Sequence, residues 1–309
     1  MSEPASEVGP MIELGDAQLR GSYPPLVTPF RDGEVDADAY AALVEHQVAE
    51  CSHGIVVNGT TAEPSTLTTE ERARLVTVAV EVAAGRLPVV AATGSQSHAE
   101  TVWLTEQATA AGADAVLIVT PYYVKPPQRG LVEYFVDVGR RTDLPVLAYH
   151  IPGRTAAAMT VETVERIAER LPTFVGMKHA VNDLGFVGDV LPRVGKGFRI
   201  FVGLEELSLP MLAVGATGLM NAVGNLVPGR VAALYDAVAA GSLEQARVIH
   251  DELYELNRSV FYDTNPIPMK YLMRRAGLLA RNEHRLPMVP ADPALEARLD
   301  DVLARVGLG

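Results

Sequence analysis

The chain has 309 residues, 48% of them apolar and 21% charged, and a formal net charge of −12. That length suits one large domain, with or without an appendage. The acidic balance argues against nucleic acid or an anionic membrane surface as a partner, so an anionic substrate would need local cations to hold it. A single cysteine, Cys51, excludes an internal disulfide and a thiolate metal cluster and fits a reducing cytoplasm.

In chain order, residues 1–20 read as a flexible polar lead-in. They lack the basic start and apolar stretch of a secretory signal. No apolar run approaches the ~18 residues that suggest a membrane span. Eight short apolar, β-branched runs follow, at 23–28, 54–58, 87–93, 114–119, 144–150, 173–179, 199–203 and 217–222. They are nearly continuous in apolar character, as strands covered on both faces should be. Helical segments separate them. Thr68 with Glu71 has the spacing of a capping box, and Gly85 closes that helix. Ser97 with Glu100 repeats the device, and Gly112 closes the next. Leu131, Val132, Phe135 and Val138 recur at helical spacing, as do Val161, Val164, Ile167 and Ala168. Eight βα units predict a closed (β/α)₈ TIM barrel over 21–240, with an open doubly wound sheet as the rival. Residues 243–262, 264–277 and 293–306 predict a helical C-terminal domain over 241–309.

In a barrel of this kind the working residues stand at the C-terminal ends of the strands. That rule selects Thr60 and Thr61 after strand two, Tyr122 and Tyr123 after strand four, and Tyr149, His150 and Arg154 around the end of strand five. Lys178 and His179 end strand six. Lys178 closes the apolar run Phe174-Val175-Gly176-Met177, where lost hydration should lower its pKa and free the amine to attack a ketone. The competing reading is a lysine that snorkels to solvent. Tyr149 could shuttle protons beside it, or be a barrel tyrosine with a satisfied hydroxyl. Thr60 and Thr61 could bind a carboxylate, though turn chemistry explains them equally. Arg154 could clamp a carboxylate or form a surface ion pair. His150 and His179 have no ligand spacing and read as structural, and no HExxH, GxGxxG, P-loop or GxSxG motif occurs. Residues 215–225 could cradle an anion, but tight strand-to-loop geometry is the simpler account.

Six landmarks, PPLVTPF, GTTAE (59–63), TPYY (120–123), YHIPGRT (149–155), GMK (176–178) and NPIPMK (265–270), stand in one register. Together they resemble the dihydrodipicolinate synthase/N-acetylneuraminate lyase family of class I aldolases over nearly the whole chain after residue 20. The resemblance implies a TIM barrel with C-terminal helices, a homotetramer, and Schiff-base chemistry on pyruvate or a related keto acid with no metal or organic cofactor. By position it makes Lys178 the Schiff-base lysine and Tyr149 the proton-relaying phenol. Thr61 and Tyr123 complete the relay, with Tyr123 reaching a neighbouring subunit's site. Thr60 and Thr61 contact the keto-acid carboxylate, Arg154 receives the carboxylate of a second substrate, and Met220 is counted with the substrate contacts. Arg154 favours the branch that condenses pyruvate with aspartate semialdehyde. A sister aldolase or dehydratase of another 2-keto acid and a non-catalytic keto-acid-binding barrel are the alternatives. Ala62, His150 and His179 depart from the family pattern and are expected near the second substrate. Gln96, Glu100 and Tyr122 match a lysine-feedback site only in part, and Pro64 does not fit it, so no feedback control is expected.

Overall fold

The computed structural model describes residues 11–195 and 197–308. Eight parallel strands form one sheet whose order follows the chain: Gly21–Ser22, Ile55–Val57, Val89–Ala92, Ala115–Val119, Val146–His150, Phe174–His179, Arg199–Val202 and Gly218–Leu219, numbered one to eight below. Strand one pairs with strand eight, Gly21 opposite Gly218, and a bridge from Pro25 to Val56 joins it to strand two. The sheet therefore closes into a (β/α)₈ barrel, and the open doubly wound alternative is excluded. The observed ladder, Gly21–Ser22, lies just before the expected strand 23–28, of which only the Pro25 bridge remains. Pro24 and Pro25 have no N–H to give, so only their carbonyl side and Leu26 carry the pairing.

Residues 1–10 of the expected lead-in lie outside the described residues. Residues 11–20 are packed: Ile12 N–H donates to the Pro172 carbonyl, Leu19 is buried, and Met11, Ile12 and Leu14 rest against the barrel interior. After strand one comes a hairpin, Phe30–Arg31 with Glu34–Val35, which the periodicity did not reveal. Asp32 and Gly33 turn it with φ of 55° and 84°, the pair of positive angles that a two-residue type I′ turn requires.

The capping box at Thr68 and Glu71 is present and starts helix Thr69–Ala83. Ser97 caps helix His98–Ala110 through the Glu100 N–H, but the reciprocal half of that box is missing. The Glu100 carboxylate is held instead by the Arg72 guanidinium at 3.1 Å. Helices Gln128–Gly139 and Val161–Arg170 bury the residues their periodicity picked out. The last barrel helix, Pro228–Ala239, is followed by Leu243–Ser259, Ile267–Arg275 and Pro293–Arg305, each a little shorter than its expected span.

Strand alternation divides the core in two. Tyr23, Val56, Leu117, Leu147, Val175 and Phe201 fill the barrel interior. Val57, Ile118, Ala148, Met177 and Ile200 pack outward against the helices. Strand six breaks this alternation once. Its register against strand five runs Val146 to Phe174 and then Leu147 to Gly176, so one extra residue is accommodated. Phe174 and Met177 consequently both face outward, although they stand an odd three positions apart. A side chain at Gly176 would collide with the Arg199 carbonyl, which keeps that position bare. The bulge shifts the phase of everything after it, and Lys178 turns inward.

Candidate active site

Lys178 lies in register with Tyr149 across strands five and six. It is only 4% exposed, and its Nζ stands 4.6 Å from the centroid of the Tyr149 ring. Room for it comes from strand seven's end: a Cβ on Gly203 would sit 2.8 Å from Lys178 Cε. The snorkelling alternative is therefore excluded by burial. Tyr149 is itself 5% exposed, and its hydroxyl lies 3.2 Å from the Thr60 hydroxyl.

Above these groups, at the C-terminal ends of the strands, opens a cavity of about 600 Å³ whose walls include Thr60, Tyr149, Ile151, Arg154 and Asn265. Thr60 opens the 3₁₀ turn Thr60–Ala62, which follows Gly59 and ends at Glu63 in the left-handed region with φ 57°. Arg154 sits in the short helix Pro152–Thr155, started by Pro152. Its side chain is exposed at the cavity rim and makes no ion pair among the described residues. The surface ion pair considered for it is thus not formed.

Several expectations shift. The phenol meets Thr60, not Thr61, because the Thr61 hydroxyl faces away and accepts from Asn265 Nδ2 at 2.9 Å. Met220 is 1% exposed and belongs to the interior packing, not to the cavity walls. Tyr123, with φ 73°, is 86% exposed and lies outside the protomer's own cavity, whereas Tyr122 lines it.

His150 and His179 were expected near a second substrate. They follow Tyr149 and Lys178 by one residue, so alternation sends them to the opposite face of the sheet. There they pack on Phe186 of helix Leu184–Val194, His179 stacked flat at 4.8 Å. A single chain of hydrogen bonds fixes both as neutral rings. Met159 N–H donates to His150 Nε2, His150 Nδ1 pairs with His179 Nδ1 at 3.2 Å, and His179 Nε2 donates to the Asp183 carbonyl. Burial, then the neighbouring His179, pulls the His150 pKa from 6.5 down to about 4. Burial likewise lowers that of His179.

The loop beneath Thr60 and Thr61 is anchored by Glu63, which ends the GTTAE landmark but was given no role there. Its buried carboxylate accepts from Lys270 Nζ at 2.8 Å and pairs with His284 Nδ1 at 3.0 Å. Glu205 is a second buried carboxyl near Lys178 that the sequence showed only as part of a loop. Among the described residues no group of three or more His, Cys, Asp or Glu is placed to hold a metal, and no helix is long and apolar enough to cross a membrane.

A buried amine stacked on a phenol, with a hydroxyl to pass protons to and a guanidinium at the rim, suits covalent capture of a small keto acid. Comparison with known proteins agrees in kind. Residues 18–305 match the model of a family described as the dihydrodipicolinate synthetase family. The chain is 44% identical over 291 residues to a 4-hydroxy-tetrahydrodipicolinate synthase of Thermus thermophilus, covering 94% of this chain and 97% of the relative. A crystal structure of the dihydrodipicolinate synthase of Aquifex aeolicus superposes with a TM-score of 0.92 at 38% identity, over 94% of this chain and 98% of that one. The 4-hydroxy-tetrahydrodipicolinate synthase of Methylacidiphilum fumariolicum superposes with a TM-score of 0.92 at 37% identity, over 94% and 96%.

Proposed function

The chain belongs to the dihydrodipicolinate synthetase family, and from that premise we propose that it is a 4-hydroxy-tetrahydrodipicolinate synthase condensing pyruvate with aspartate semialdehyde. The observation that carries the reading is the placement of Lys178: buried, turned into the barrel, and 4.6 Å from the Tyr149 ring. In its neutral form the amine attacks the pyruvate carbonyl carbon. The carbinolamine then loses water to leave an iminium. Tyr149 is the group placed to carry protons on and off these intermediates, handing them to Thr60 across 3.2 Å. Loss of a methyl proton gives an enamine, whose carbon attacks the aldehyde of the second substrate. Arg154 at the cavity rim holds that substrate's carboxylate. The turn amides at Thr60 and Thr61, with the Thr60 hydroxyl, take the pyruvate carboxylate.

The relay is completed by Tyr123 of a neighbouring subunit in a homotetramer, a role supported by its exposure in the single protomer. The barrel, 21–240, carries the chemistry and the helical segment 241–309 braces it, in a cytoplasmic enzyme.

Borohydride reduction in the presence of pyruvate, read by intact mass and peptide mapping, tests the core of the proposal. One adduct on Lys178 is expected, and none in Lys178→Ala. Failure of aspartate semialdehyde as acceptor, with turnover of another aldehyde or a keto-deoxy sugar acid, would replace the substrate assignment and keep the Schiff base.

A further inference from the structure

Among the described residues two glutamates are buried deeply, and the fold treats them differently. Glu63 faces the Lys270 ammonium and the His284 ring. Glu205, which opens the 3₁₀ turn Glu205–Leu207 after strand seven, is 2% exposed and has no ion pair among the described residues. Its Oε1 accepts the Ala222 N–H at 2.6 Å, and its Oε2 has no partner. Around its backbone carbonyl stand neutral groups only: the Ser208 hydroxyl and the Asn257 amide donate to it, and Asn221 donates to Ser208. An ionised carboxylate in such a place lacks the partners that make burial of charge tolerable. The charged groups that face it are Lys178 and Glu206. Lys178 is held against the same loop, its Cε resting where a side chain on Gly203 would be. Burial raises the Glu205 pKa from 4.5 to about 7, with the Ala222 bond and Lys178 opposing and Glu206 adding to the rise.

We propose that Glu205 is a positioning residue of the Schiff-base step: its carboxyl keeps its proton in the free enzyme and gives it up when Lys178 becomes an iminium. The step balances. Neutral amine, ketone and neutral carboxyl become iminium, water and carboxylate, so the proton that leaves Glu205 is matched by the one that finishes on the iminium nitrogen. A cation fixed by a covalent bond thus gains a counter-charge that the free site does not have to keep ionised. The inference rests on the Schiff-base reading of Lys178.

Pyruvate affinity of wild type and Glu205→Gln, followed with pH, tests it. Below about pH 7 binding to the wild type includes release of the Glu205 proton. The wild-type-to-variant affinity ratio is therefore expected to climb by about tenfold per pH unit from about pH 5 and to level off above about pH 7. A purely structural role would leave that ratio flat, and a flat ratio overturns the proposal. Infrared difference spectra of the wild type provide a measurement that does not depend on the variant folding. Addition of pyruvate should remove the carbonyl band of one protonated carboxyl. In Lys178→Ala pyruvate should leave that band in place, because no iminium can form. In the wild type, a band that pyruvate leaves in place rejects the inference. Borohydride trapping on the same samples separates the two readings: an adduct with an unchanged carboxyl band rejects only the role of Glu205, and no adduct rejects the Schiff base beneath it.

Discussion

At the scale of single residues, the site depends on one glycine and one pair of rings. Gly203 leaves the space that Lys178 Cε fills, with Ala180 equally close. Gly203→Ala is therefore expected to displace the amine and slow adduct formation by about a hundredfold, the effect of roughly 1 Å of misplacement, while circular dichroism stays native. A variant that traps pyruvate at the wild-type rate would contradict that geometry. The histidine pair makes a prediction about pH. His150 titrates near 6.5 when unfolded and near 4 when folded, Asp183 only partly opposing the effects of burial and His179. The unfolded chain thus binds the extra proton between these values. The contribution is fully present above about pH 6.5 and is lost as pH falls toward 4. Urea unfolding should show stability declining across that window, less steeply in His150→Asn; parallel curves would show that the pair does not matter. Lys178, Tyr149, Thr60 and Arg154 were legible from residue type and strand-end position. The face that His150 and His179 occupy was missed: both were expected beside the second substrate, whereas alternation sends each to the other side from its neighbour. Glu205 was not legible either, because a glutamate in a loop gives no sign of its burial until the chain closes over it.

At the scale of elements, barrel order, strand positions and the capping box at Thr68 could all be read from apolar runs and end signals. Thr68→Ala removes the hydroxyl half of that box and leaves the backbone N–H bond to Glu71, and a loss of ~1 kcal/mol is expected by chemical denaturation. The bulge in strand six could not be read. Val175-Gly176 looks like ordinary strand sequence, and the insertion shows only as a register shift against strand five. Yet it decides which way Lys178 points. The half-formed box at Ser97 failed for a comparable reason. Glu100 was free to bind back only if nothing else wanted its carboxylate, and Arg72, 28 residues earlier, takes it.

At the scale of the whole molecule, the Glu63 cluster joins parts far apart in the chain. Lys270 is 0% exposed and its ammonium also stands 4.5 Å from the Phe30 ring. Lys270→Met strips one partner from a buried carboxylate, and a loss of about 3–5 kcal/mol is expected from denaturant unfolding. The double change with Glu63→Gln should recover part of it; strictly additive losses would mean that the two side chains are not coupled. The proposed homotetramer supplies another test. With Tyr123 facing outward, dilution that dissociates the oligomer should reduce turnover per subunit, as followed by sedimentation and activity together. Specific activity that survives dissociation would remove Tyr123 from the relay. Segment 264–285 reaches back to the turn that carries Thr60 and Thr61 through Asn265, Lys270 and His284. The C-terminal part is consequently not an exchangeable attachment. A chimera that grafts the tail of one relative onto the barrel of another inherits both halves of this junction or neither, and recombination within the fold should succeed only where the crossover keeps Glu63, Lys270 and His284 from a single parent.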